Sequence, residues 1–95
     1  MTRYLVLLQF TERGLKNLNM STARAHAFAK AAQKAGVTIE GQYWTVGRCD
    51  GALILSAENR GRIHALLATL AAAGNVRPEA LETFTDEEFD ANLGN

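Results

Sequence analysis

A chain of 95 residues makes one domain, residues 1–95, large enough to bury roughly 60–65% of the surface its unfolded form exposes. Ten Lys and Arg balance ten Asp and Glu, so no net field draws it to nucleic acid or to an anionic membrane. Cys49 is the one cysteine, which excludes an intrachain disulfide framework. Apolar runs such as Leu5–Leu8 are far too short to span a bilayer, and Met1–Tyr4 does not read as a secretory leader; a cytoplasmic location is the expectation.

Tyr4–Phe10 reads as a strand. Tyr4, Val6, Leu8 and Phe10 share one side, Leu5 and Leu7 the other, so it is apolar on both faces and belongs in the middle of a sheet. Thr11 is placed to cap a short helical turn through Asn17, weakened by Gly14. Ser21 is expected to cap a longer helix to Ala35, with Ala25, Phe28, Ala29 and Ala32 facing inward and Gly36 as the left-handed stop.

Thr38–Ala57, TIEGQYWTVGRCDGALILSA, is the stretch around which the rest is organised. Ile39, Gly41, Tyr43 and Thr45 alternate with Glu40, Gln42, Trp44 and Val46, the period of a strand. Asp50-Gly51 signals a tight reversal, with the loop expected over Gly47–Gly51. Beyond it Leu53 and Leu55 point one way, Ala52 and Ile54 the other. A strand apolar on both sides requires cover on both sides.

Asn59 caps a second helix to Ala73, whose Ile63, Leu66, Leu67 and Leu70 form one buried face; Gly74 ends it. Val76–Phe84 is a weaker strand, and Pro78 confines it to an edge or a bulge. Thr85 and Glu88 form a capping box, with Phe84 and Phe89 positioned as its hydrophobic staple, opening a short last helix to about Leu93.

The order strand, helix, strand, strand, helix, strand defines an α+β fold: the ferredoxin-like βαββαβ arrangement with a short C-terminal helix. Two helices cover one face of a four-stranded sheet, and the other face stays apolar. A second copy packed sheet to sheet is the simplest cover, with the C-terminal helix as its rival. Leu5, Leu7, Trp44, Leu53 and Leu55 are the candidate dimer-interface residues.

YLVLLQFTERGLKN at the start, GQYWTVGRCDGALIL in the hairpin and GNVRPEALETFTDEEF at the end resemble the GYD-domain family of small bacterial proteins, in register over nearly the whole chain. The resemblance implies a dimeric α+β barrel protein of uncharacterised role. One departure is visible: in Gly47-Arg48-Cys49-Asp50, Cys49 stands where the Gly-Tyr-Asp signature carries its aromatic residue. Pro78 is a second.

Five residues are candidates for a ligand pocket: Tyr43, Trp44, Asp50, His64 and Arg77. Tyr43 and Trp44 are neighbours on a strand and point to opposite faces, so one meets the helices and the other the partner copy. Asp50 can act as a base or ligand anchor, although aspartate before glycine more often accepts hydrogen bonds from its turn's own backbone. His64 lies at the edge of its helix's buried stripe, where it can line a cleft or offer a ring nitrogen to haem iron; a boundary surface residue is the plainer reading. Arg77 can anchor an acidic ligand or pair with Glu79 or Glu82. Cys49 beside Arg48 lacks a neighbouring base and reads as an inert thiol, and His26 reads as solvated. No zinc-type spacing and no phosphate-binding glycine loop is present, so no metal and no cofactor is expected.

Three functional classes follow. The first is a homodimeric small-molecule-binding or interaction module. The second is a small oxygenase-type enzyme, which requires a cleft where Tyr43 or Trp44, His64 and Asp50 or Arg77 converge; it is suggested only by other proteins of the dimeric α+β barrel architecture. The third, nucleic-acid binding, fails because the strand GALILSA lacks stacking aromatics.

Overall fold

The computed structural model describes residues 1–93. The chain runs β1 (Thr2–Phe10), α1 (Glu12–Lys16), a 3-10 turn (Leu18–Met20), α2 (Ser21–Ala35), β2 (Thr38–Trp44), β3 (Gly51–Ala57), α3 (Arg60–Ala72), β4 (Val76–Glu82) and α4 (Asp86–Asn92). The four strands form one antiparallel sheet in the order β2-β3-β1-β4, the ferredoxin-like order that the pattern of elements predicts. The apolar strands β1 and β3 lie inside, and the strand carrying Pro78 lies at an edge, where a missing N–H leaves no ladder bond broken.

Register decides which side chains meet the helices. Tyr4 pairs with Leu55, Val6 with Leu53 and Leu8 with Gly51. The rows through Tyr4, Val6, Leu53, Leu55 and Ala57 turn inward, against Phe28 and Ala32 of α2 and Ile63, Leu66 and Leu67 of α3. Leu55 and Ile63 are completely buried. The expectation that Leu53 and Leu55 face a partner is therefore corrected: the chain's own helices cover them. On the opposite face of these strands lie Leu5, Leu7, Ala52 and Ile54, all partly exposed.

β2 departs from strict alternation. Its register shifts between Ile39 and Gly41, a bulge at Glu40. Before the bulge Ile39 pairs with the core residue Leu55; after it Gly41 and Tyr43 pair with Ile54 and Ala52 of the open face. The bulge turns Gln42 and Trp44 to the helix side and Tyr43 away from it. The loop also differs from expectation. It runs over Thr45–Asp50, with Gly47 at φ 136 as its one residue in the region that favours glycine, and Gly51 already begins β3.

Helix ends follow local chemistry. The Thr11 hydroxyl accepts the Gly14 N–H, and the Asn59 side chain accepts the Arg62 N–H. Gly36 and Gly74 adopt φ 75 and 83 after α2 and α3. Ser21 is not the cap of α2; Met20 holds that place without a side-chain bond, and Ser21 is the first helical residue. The capping box of Thr85 and Glu88 is present. The backbone N–H of Thr85, then the Arg3 guanidinium, hold the Glu88 carboxyl below its ordinary range.

The C-terminal helix does not close the open face. It packs extensively on no other element; the Arg3–Glu88 pair at 3.2 Å ties it to one corner, where Ser56 is buried. Phe84 and Phe89 stay about half exposed. The molecule is a slab 18 Å in its shortest dimension, one helical layer on one sheet.

Gly14 shows how tightly the loops are drawn in. A Cβ there would run into the Asn75 backbone carbonyl, the same carbonyl that accepts the Thr11 N–H at 3.1 Å. Gly14→Ala should therefore destabilise the fold by about 1–3 kcal/mol, although propensity alone would favour alanine by roughly 1 kcal/mol; urea unfolding measures the sign. Because the Glu88 carboxyl is held low in the folded chain, its contribution is present above the ordinary glutamate range and is lost as pH falls through the lowered value. Amide chemical shifts of α4 should report its loosening there, before the core strands respond.

Candidate functional site

The inward rows of the sheet are filled from Ala57 and Leu55 to Leu53, and there the filling stops. The next inward position of β3 is Gly51, with Leu8 on one side in register and Trp44 on the other. Glycine leaves that place empty, and a Cβ there would stand 3.1 Å from the Tyr43 carbonyl oxygen, so the strand would have to give by a few tenths of an ångström. Above this end α2 contributes alanines, Ala25 among them, and the end of α3 contributes Thr69 and Leu70, followed by its C-cap Ala73. Large side chains give way to small ones on both layers, and a cleft of about 380 Å³ opens between sheet and helices.

Leu8, Phe10, Phe28, Trp44, Leu53 and Leu66 give the cleft an apolar wall. Several of the polar groups there are tied to backbone or to a neighbouring side chain. The Trp44 indole N–H donates to Ser21 Oγ at 2.9 Å, which holds the half-exposed ring against the start of α2. Asp50 Oδ2 accepts the Phe10 N–H at 2.9 Å, while the Asp50 N–H donates to the Leu8 carbonyl at 2.8 Å. Asp50 is thus a clamp between the hairpin loop and the end of β1, not a partner of its own turn alone. Arg24 Nη1 donates to the Asn17 carbonyl at 2.8 Å.

Of the five pocket candidates, Tyr43, Trp44 and Asp50 border the cleft. The Tyr43 ring lies over Gly41, on the face turned from the helices, and Trp44 is the one whose ring meets them. Trp44, proposed also for a dimer interface, sits on the helix side of the sheet. His64 and Arg77 lie elsewhere. His64 Nε2 is 3.0 Å from the Tyr4 hydroxyl, with the two rings edge to face at 5.2 Å; it satisfies the polar tip of a buried tyrosine. Arg77 stands opposite Gln9 on the open face. Of its two expected partners, Glu82 pairs instead with Arg60 at 3.1 Å, because inward and outward positions alternate along β4, and no ion pair joins Arg77 to Glu79 among the described residues. Cys49 is a partly buried free thiol in the loop, its carbonyl accepting the Thr45 hydroxyl, and His26 is exposed.

Arg24, Phe28, Gln42 and Leu66 are cleft residues that a search for chemistry in the sequence passes over or reads only as core. The signal for Arg24 is helical spacing: it lies three residues after Ser21 and four before Phe28, on the same face. Among the described residues no group of three or more His, Cys, Asp or Glu is placed to hold a metal ion, and no helix is long and apolar enough to cross a membrane.

A ferredoxin-like sheet covered by helices on one face, with an open-mouthed apolar cleft at one end, defines a small α+β domain whose second sheet face is partly exposed. The family model of the GYD domain matches residues 4–93, nearly the whole chain, and the chain belongs to the GYD-domain family, whose role is uncharacterised. No curated protein and no solved structure matches it.

The bond between Tyr4 and His64 gives an asymmetric expectation. His64→Ala leaves a buried hydroxyl short of its partner and should cost about 1 kcal/mol, whereas Tyr4→Phe removes both needs and should cost less. Thermal unfolding of the two variants and their double mutant measures the difference.

Proposed function

We propose that the protein is a homodimeric small-molecule-binding module, with its ligand in the cleft between the sheet and α2 and α3. The observation that carries this is the cleft of about 380 Å³ walled by Leu8, Phe28, Trp44, Leu53 and Leu66. Pockets that take small ligands are largely apolar, concave and preformed, and this volume is near the lower end of their range. An oxygenase-type enzyme is the second reading. It would draw His64 and Arg77 into the cleft beside Trp44 and Asp50, and their places at Tyr4 and on the open face favour binding over catalysis.

The dimer rests on the other side of the sheet. Leu5, Leu7 and Ile54 lie together there, with Tyr43 and Leu81 beyond them at 58% and 40% exposure, and α4 leaves them uncovered. Packing against the same face of a second copy through a two-fold axis removes this surface from water. A cytoplasmic setting belongs to the same reading, resting on a single cysteine.

Light scattering at micromolar concentration should give twice the chain mass, and Ile54→Asp should halve it with far-UV circular dichroism unchanged. A monomeric wild type sinks the dimer. For the cleft, the neutral dye N-phenyl-1-naphthylamine should bind with enhanced emission, and Ala25→Trp, which fills the space, should abolish the enhancement without unfolding the chain.

A further inference from the structure

We propose that the cleft selects an apolar small molecule bearing a single carboxylate, and that Arg24 receives that group; this rests on the cleft's being a binding site. Arg24 lines the cleft and is held by one strong bond, Nη1 to the Asn17 carbonyl at 2.8 Å. Its Nη2 is buried and meets no acceptor among the described residues. A guanidinium edge out of water without an acceptor is costly; because Nη2 is closed off as it stands, the side chain must turn slightly toward the cleft it lines for an anion to satisfy it. The position is fixed from behind, because the Asn17 carbonyl belongs to the connection between α1 and the 3-10 turn.

The charge inventory narrows the ligand. Asp50 is the one acid lining the cleft; its Oδ2 is taken by the Phe10 N–H, and no ion pair joins it to Arg24 among the described residues. Among the described residues Arg24 is the one cation there, and the Asp50 carboxylate lines the same cleft, so a ligand bearing one negative charge suits the site better than the two of a phosphate monoester. Ser21 stands one turn before Arg24 on α2. Its oxygen accepts from Trp44, which leaves its own O–H to donate to the second oxygen of a carboxylate. Around this polar corner the wall is aliphatic and aromatic, so the remainder of the ligand is apolar and small.

The test compares acids with alcohols of the same skeleton: decanoate with 1-decanol, and 4-phenylbutyrate with 4-phenyl-1-butanol. Emission of Trp44, the chain's only tryptophan, follows binding. At least one acid should bind about tenfold or more tightly than its alcohol. Arg24→Gln should erase that preference, and Arg24→Lys should retain part of it. Equal affinities of acid and alcohol, or a preference that survives Arg24→Gln, overturns the carboxylate assignment and leaves the cleft standing as a neutral site. If none of the four compounds binds and N-phenyl-1-naphthylamine does not bind either, the binding-module reading itself fails. Should Arg24→Gln not fold, the acid-to-alcohol ratio of the wild type and its reduction in Arg24→Lys decide the matter.

Discussion

The pairing of β1 with β3 is the constraint from which the rest of the molecule follows. Seven consecutive residue pairs, from Thr2 with Ala57 to Leu8 with Gly51, fix the register, and because side chains alternate, a slip of one residue would exchange the two faces of both strands. Tyr4, Val6, Leu53 and Leu55 then have only one place to go, beneath α2 and α3. Leu5, Leu7, Ala52 and Ile54 have only the other. The helical layer is set by the first group, and the surface left for another molecule is set by the second.

The same register creates the cleft. Its inward row ends at Gly51, so the volume that Leu53 and Leu55 occupy further along is not occupied there. Two polar clamps keep the end from collapsing. Asp50 bonds the backbone of both Leu8 and Phe10, and Thr11 bonds the Gly74 and Asn75 carbonyls through its hydroxyl and its N–H. These bonds join the hairpin loop, the end of β1 and the start of β4 where few apolar contacts hold them. The residues that look most chemical in sequence, Asp50 and His64, are thus largely committed to architecture, as hydrogen-bonded polar groups in folded chains usually are.

Fold was legible from the sequence because several local signals agreed: two-sided apolar strands, the Ile63–Leu70 stripe, the glycines ending α2 and α3, and the Thr85–Glu88 box. Site geometry was less legible for identifiable reasons. A bulge at Glu40 leaves little trace in composition, yet it decides that Trp44 rather than Tyr43 turns toward the helices. Leu53 and Leu55 carry no mark of which apolar side of β3 the helices choose; that choice belongs to the whole sheet. Arg24 escapes notice because a basic residue on an alanine-rich helix looks like a solvated one until the Asn17 carbonyl and the cleft are placed around it.

Sheet faces and functions therefore separate cleanly. Tyr43 and Trp44 are adjacent in sequence, but the Tyr43 ring lies over Gly41 on the surface assigned to the second copy, and Trp44 bonds Ser21 beside Arg24. In the proposed reading, adding charge to the open face would act on association through Leu5, Leu7 and Ile54, whereas filling the space beside Gly51 would act on the ligand. A single four-stranded sheet can carry both roles because its two central strands are apolar front and back, which a monomer with one helical layer uses only by half. The unsatisfied edge of Arg24 belongs to the covered half, and under the proposal its one charge in an apolar surround is what would tell an acid from an alcohol.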